Sequence, residues 1–536
     1  NYALGADSSY GGAIYNSYFS KIGGITGDFI GNLAQGSEMV VGGAISNTLG
    51  LIGSISGDFI NNKVVSEYGL AVGGAIANMG ILGTMESKPI PSDARQASQI
   101  VFKPGEIINS SFINNTAEVK DAGGIAAGGA IFSVSDLNIT ADNGVSLFKG
   151  NKTIKNGVEQ SNAISIYGFG VKLGDGTYEY RDLAGNIIGN EEGYKENPVS
   201  LTLKAVNNGI VQFDDKIQGG AIAVESEEEA ISLLQKETAP SEDVSNSIIK
   251  DPTAAFNLKV TGDKTGKVIL NNDVINARIS LDETNLYLGR DDVFNQSQSL
   301  TLNSGSMSMI NNQAGTMNIP TLNLNGATNL GVDVDLANKQ MDTIKANEYN
   351  VAEGAKLNVN NINLLNDAKQ DKTDILFTDN KDLASATAYT GASPIAYSPI
   401  YKYEVSYNPD GGFFTFLRGS SGNQSDNFNP AVLAPSVATQ AGAYTTQLQT
   451  FNFAFQHADS FMNIPYLERV AMKHSGHYAL SPTGDTTDVG TFSPLLTKED
   501  TSGFWVKPYA SFENIPLNNG PKVSNINYGT LVGYDS

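Results

Sequence analysis

The chain has 536 residues, and 34 Lys and Arg face 56 Asp and Glu, a formal charge of −22. That balance excludes nucleic acid, whose binding needs basic patches that displace counterions, and adsorption to anionic membrane surfaces. Cysteine is absent, which excludes disulfides, thiol chemistry and Cys-based zinc or iron–sulfur sites.

The first residues, NYALGADSSYGGAI, carry neither the basic start nor the apolar run of a signal peptide. No stretch approaches the ~20 consecutive apolar residues of a transmembrane helix. Both ends read as cut, and the chain reads as a fragment.

Internal repeats are the strongest indication of the fold. Gly-Gly-Ala-Ile stands at 11–14, 42–45, 73–76, 128–131 and 219–222, the first three evenly spaced. Phe-x-x-Asn stands at 29–32, 59–62, 112–115 and 148–151. A short strand sends alternate side chains to opposite faces. Asn and Gly tolerate the positive φ of a turn. Stacked coils would place Phe on Phe inside and build ladders of Asn. The candidate residues are Phe29, Asn32, Phe59, Asn62, Phe112, Asn115, Phe148 and Asn151, with the corner glycines Gly42, Gly43, Gly73, Gly74, Gly128 and Gly129. Their expected role is structural, in stacking the coils.

Downstream the tetrapeptides fade and strand alternation continues: SLTLKAV (200–206), ISLDETNLYLG (279–289), SLTLNSG (299–305), TLNLNG (321–326), LGVDVDL (330–336) and KLNVNNINL (356–364). The expected period is roughly one coil per 20 residues. About 20 such coils at ~4.8 Å predict a rod on the order of 100 Å. A β-propeller or tandem sandwiches are the competing folds, and a propeller would show ~40-residue units. ESEEEAISLLQKET (225–238) predicts a short helical insertion, acidic at its N-terminal end.

Past residue 420 the chain changes character. The segment 421–502 is expected to be a linker. Within it, PSVATQAGAYTTQLQTFNFAFQHADSFMN (435–463) predicts a helix, with Pro435 suited to its first turn. In 503–536, Trp505, Lys507, Tyr509 and Ser511 alternate on one strand, LNNGP makes a turn and NYGTLVGYD a second strand. This suits a barrel wall with aromatics at a membrane interface.

Chemistry-bearing motifs are sparse. No Gly-x-Ser-x-Gly elbow is present, and no P-loop or dinucleotide fingerprint. His457, His474 and His477 lie in or after the expected helix, and His474 with His477 lacks a third metal ligand. LGDGTYEYRDLAGN (173–186) departs from EF-hand spacing. The neighbours Asp214 and Asp215, and Asp291 and Asp292, should diverge on a strand. Asp333 and Asp335 share a face, as glycosidase chemistry would want, yet match an ordinary polar-out strand. No catalytic, cofactor-binding or metal residue is expected.

Together these features resemble a bacterial autotransporter of type V secretion. The Phe-x-x-Asn and Gly-Gly-Ala-Ile units are similar to those of chlamydial polymorphic outer membrane proteins, and GGAIFSVSDLNITADNGVSLFKGN (128–151) is the nearest match. The resemblance implies an all-β chain. A right-handed parallel β-helix would run through the repeat part, 1–151, and its passenger continuation, 152–420. A linker helix would come next, and 503–536 would open a truncated outer-membrane β-barrel. It implies a passenger on the cell surface, acting as an adhesin or surface structural protein through many weak contacts. The implied partners are a host-cell or other surface receptor or glycan, the chain's own barrel and the barrel-assembly machinery. From another class, some β-helices are polysaccharide lyases or hydrolases. Three or more carboxylates converging in one groove would favour that alternative.

Overall fold

The computed structural model describes residues 1–17, 20–89, 98–172, 178–181, 187–190, 199–224, 255–419, 427–429, 479–481, 488–493, 503–515 and 523–535. The expected helices at 225–238 and 435–463 and the three histidines lie outside the described residues. Two units divide the chain: residues 1–396 with 404–417, and residues 397–403 with 418–536.

In the first unit, Phe59–Ile60 is a strand of only two residues. Alone it would not persist. It persists because like dipeptides lie on both sides of it. Phe59 pairs in parallel with Phe29 and with Phe112, and Ile60 with Ile30 and Ile113. The same pairing continues to Thr387–Tyr389, so eleven strands follow one parallel path; a twelfth, Gln340–Met341, folds back antiparallel on Ala327–Asp335. A second sheet stacks ten strands from Ile25–Thr26 to Thr343–Val351. The chain is all-β in the described residues apart from one helix, Lys381–Ala386. Its long parallel sheets are those of a β-helical solenoid.

The coils change shape along the stack. Early coils also feed three further sheets, which contain Leu33–Gly36, Met39–Val41 and Ile45–Ile52 respectively. The first of these ends where Val158–Ser161 pairs antiparallel with Lys152–Lys155, and the second ends at Ile125–Ala127. Among the described residues, the two long sheets are the ones of the five that go on after Val274–Ile275. Five short strands per coil become two, up to nine residues each. The tetrapeptides fade because the corners they form are gone.

Eleven rungs span ten steps of ~4.8 Å, about 50 Å, rather than the expected twenty coils. Early coils are long: Asn62 and Asn115 are ladder neighbours at a separation of 53 residues. Part of that length is a hairpin, in which Ile76–Pro89 pairs antiparallel with Ser98–Pro104. The alternation itself was well placed. Ser200–Val206 and Lys356–Leu364 are strands with the anticipated bounds. Ser200–Val206 alternates half-buried and buried side chains throughout.

The last rung is covered. Lys372–Leu376 pairs antiparallel with Phe413–Arg418, which brings buried Phe414 edge-on to Tyr389 at 6.4 Å. The Asn380 side chain caps Lys381–Ala386 by accepting from Leu383 N. Tyr407 Oη donates to Ala384 O at 3.1 Å. Such a cover removes the open strand edge that a stack otherwise presents.

In the second unit, Ala479–Ser481, Asp488–Ser493, Gly503–Ile515 and Val523–Asp535 pair antiparallel in chain order. The last two strands are thirteen residues each, in register from Gly503 with Asp535 to Ile515 with Val523. The second therefore begins well before the expected NYGTLVGYD. Among the described residues this sheet is open.

Candidate functional site: the stacked repeat

The Phe-x-x-Asn units are buried scaffolding. Phe59, Phe112 and Phe148 are fully buried, and Phe29, on the first rung, is half-buried. Their rings stack face to face at 4.9, 4.8 and 4.7 Å, within 6° of parallel. That spacing is the strand separation, so register alone aligns the rings. Aromatic pairs of this kind add about 0.5–1.5 kcal/mol beyond their buried area. The third residue of each unit takes positive φ: Gly31, Asn61, Asn114 and Gly150 at 63°, 55°, 55° and 72°.

The fourth residues form one hydrogen-bonded ladder. Asn32 Nδ2 donates to Asn62 Oδ1, Asn62 Nδ2 to Asn115 Oδ1, and Asn115 Nδ2 to Asn151 Oδ1, at 2.8–3.0 Å. Each acceptor also takes the backbone N–H of the donating Asn. The second amide hydrogens go back to strand carbonyls: Asn62 to Phe29 O, Asn115 to Phe59 O and Asn151 to Phe112 O. The amides of Asn62 and Asn115 are thereby fully paired away from water, which is what makes their burial tolerable.

Gly-Gly-Ala-Ile builds a second corner, packed against the first: a Cβ on Gly43, Gly74 or Gly129 would lie 2.7, 2.6 or 2.5 Å from the backbone N of Lys63, Thr116 or Lys152, the residue after each ladder Asn. Gly42, Gly73 and Gly128 have φ of 70°, 67° and 64°, a conformation costly for side chains. The following glycines are needed for closeness. A Cβ on Gly43 would lie 2.0 Å from Gly74 O, on Gly74 2.0 Å from Gly129 O, and on Gly129 2.3 Å from Asn162 O. The fifth copy, 219–222, departs from this. It lies inside the strand Ile217–Val224, with Ile217 rather than Ile222 opposite Ile164. Identical letters out of register make no corner.

Sequence reasoning missed four parts of the stack. Phe213 extends the ring column at 4.2 Å from Phe148. Asp215 ends the Asn ladder, accepting Asn151 N and Nδ2 at 2.8 Å and Gly150 N at 3.0 Å. Burial pushes its carboxyl up, against those hydrogen bonds and with help from the Asp214 charge. A second ladder runs from Asn16 to Asn47 to Asn78, each step 2.8 Å, and ends on Ser133 and Ser135. Its signal was present, since Gly-Gly-Ala-Ile is followed two places on by Asn16, Asn47 and Asn78. The fourth part is a cluster of two buried carboxylates and one half-buried one.

That cluster is Asp291, Asp333 and Asp342. Asp333 and Asp342 are fully buried. Asp333 Oδ2 accepts the backbone N–H groups of Asn311, Asn312 and Gln313. Asp342 accepts from Gly315 N at 2.9 Å and Asp333 N at 2.6 Å. Asp291 accepts from Asn311 Nδ2 at 2.7 Å. Burial, with the neighbouring carboxylates, pushes Asp342 up to about 8; burial pushes Asp291 up to about 6. These groups hold residues 311–315 in place. Asp335 separately accepts from Asn338 and Asn366. Among the described residues no three His, Cys, Asp or Glu side chains are grouped to hold a metal ion.

What faces outward is the second residue of each unit. Ile30 is 61% exposed, and Ile60 and Ile113 beside it are half-buried. In the fourth unit the same position is the exposed Lys149, paired with Ile113, so the column offers repeated contact surface. No family model, curated protein or solved structure matches the chain.

Proposed function

We propose that the chain is a surface-displayed autotransporter passenger that acts as an adhesin or a surface structural protein. In this reading the first unit is a right-handed parallel β-helix, the hand that parallel crossovers adopt. The segment 435–463 is its linker helix, and the strands Gly503–Ile515 and Val523–Asp535 open an outer-membrane barrel. One observation carries the reading. The repeated Phe, Asn and Gly residues turn inward, so the repeat maintains a rod while leaving its outer positions in register for contact. Many weak contacts on such a face add up by effective concentration.

Composition supports it. A chain that crosses a pore unfolded is served by having no cysteine to oxidise on the way. Its net charge of −22 keeps a long rod soluble and self-repelling. The partners in this reading are a surface receptor or glycan, the barrel and the barrel-assembly machinery. The reading is non-catalytic.

Display tests it directly. In cells carrying the whole gene, external protease should remove the rod from intact cells, and such cells should adhere better than cells lacking the gene. A rod that becomes cleavable only after lysis would overturn the proposal.

A further inference from the structure

A cavity of about 310 Å³ opens beside the last long rungs, lined by residues 314–316, 339–341, 343–345, 349 and 376–379. Its volume lies at the small end of ligand sites, roughly 300–1,000 Å³. Lys339 and Lys345 both line it and both are exposed. Two cations lining one hollow stand out in a chain of net charge −22. Among the described residues neither lysine has a carboxylate within ion-pair distance, 4.0 Å. The nearest influence is longer-ranged: the Thr415 hydrogen bond, then Lys372 and the Lys339 charge, hold Asp374 below its usual range.

Lys339 also sits at φ 56°, where Gly or Asn would be at ease. Strain kept at a cavity wall is a pointer to use. Gln340, Thr378 and Asp379 add hydrogen-bonding groups to the wall, and Leu376, 58% exposed, adds apolar surface. The Tyr349 hydroxyl is already engaged, donating to Ile344 O and accepting from Ala346 N, so its ring is what it offers. Below, the buried carboxyl of Asp342 holds the wall residue Gly315. Raised to about 8 by burial, it is mostly neutral at pH 7 and takes little from the positive field.

The combination selects the ligand. Two lysines call for an acid group. A carboxylate and an amide beside them call for hydroxyl donors on the same molecule, and the apolar wall suits the face of a saturated ring. We propose that this cavity binds a carboxylate-bearing sugar unit, its acid group on Lys339 and Lys345 and its hydroxyls on Gln340 and Asp379. This deepens the binding function proposed above and rests on it only in treating the rod as a binding protein.

Calorimetric titration of the purified chain tests the assignment. The probes are a sialyl-lactose, with its acid sugar at the chain end, and a galacturonic acid trimer, with acid sugars throughout, and lactose is the neutral control. At least one acidic probe should bind and lactose should not; which of them binds separates a terminal from an internal acid sugar. Lys345→Gln and Lys339→Gln should each weaken binding about tenfold, the loss of one charge-assisted contact. Lys339→Gly should lose the same affinity while melting higher, because Gly relieves the backbone. Acidic probes that bind no better than lactose would overturn the proposal, and so would undiminished binding by the folded lysine variants. Cells that adhere while the cavity binds no acidic sugar would leave the surface-display reading standing and sink only this one.

Discussion

Asn115 shows how much one side chain carries. It donates to Asn151 Oδ1 and Phe59 O and accepts from Asn62 N and Nδ2, all at 2.8–3.0 Å in a fully buried site. Asn115→Ala removes all four bonds and leaves the Asn62 backbone N–H without its acceptor. Each buried group so stranded costs about 1–3 kcal/mol, so we expect a loss of roughly 3 kcal/mol in urea unfolding. Asn115→Asp should be worse than Ala, since a carboxylate cannot donate and would face Asn151 Oδ1 with a buried charge. An Asn115→Asp chain as stable as the parent would refute the ladder. At position 215 an acid is accommodated because it has only to accept. The repeating Phe and Asn were legible because every rung needs the same letters. Asp215 was not, because it stands 64 residues from Asn151 and one place out of step with the motif.

At the scale of elements, a motif acts only in register. Gly-Gly-Ala-Ile at 219–222 has the right letters, yet pairing of Ile217 with Ile164 puts it within a strand. Register depends on contacts far along the chain, and local spelling does not contain it. The turn at residues 311–315 was illegible for a related reason: Asp291, Asp333 and Asp342 come from separate strands and turns of the stack. This cluster predicts a pH dependence. An unfolded Asp titrates near 3.9, whereas folded Asp291 and Asp342 titrate at about 6 and about 8. Between about pH 4 and 8 the folded state therefore holds more protons, and stability falls as pH rises through that window. The melting temperature should be higher at pH 5 than at pH 8. Net negative charge acts in the same direction, so the comparison with Asp342→Asn isolates the cluster: its slope should be flatter. Equal slopes would show that Asp342 does not titrate as described.

At the scale of the molecule, the all-β class was legible from alternation, and stacking from repetition. The number of coils was not. Twenty expected coils became eleven rungs because early coils carry excursions such as the hairpin of Ile76–Pro89 with Ser98–Pro104, and a hairpin alternates like any other strand pair. The cavity at Lys339 and Lys345 was also out of reach, since its wall draws on positions from 314 to 379. Rungs far apart in sequence are stacked neighbours in space, and the absence of cysteine makes that stacking directly measurable. Ile30 and Tyr287 are exposed, at 61% and 38%, on strands six steps apart in one sheet. Spin labels on Cys introduced by Ile30→Cys and Tyr287→Cys should give a narrow distance distribution near 30 Å, six steps of ~4.8 Å plus a short offset along the strand. A broad distribution centred beyond about 60 Å, as a flexible chain of this length would give, would contradict the stacked rod.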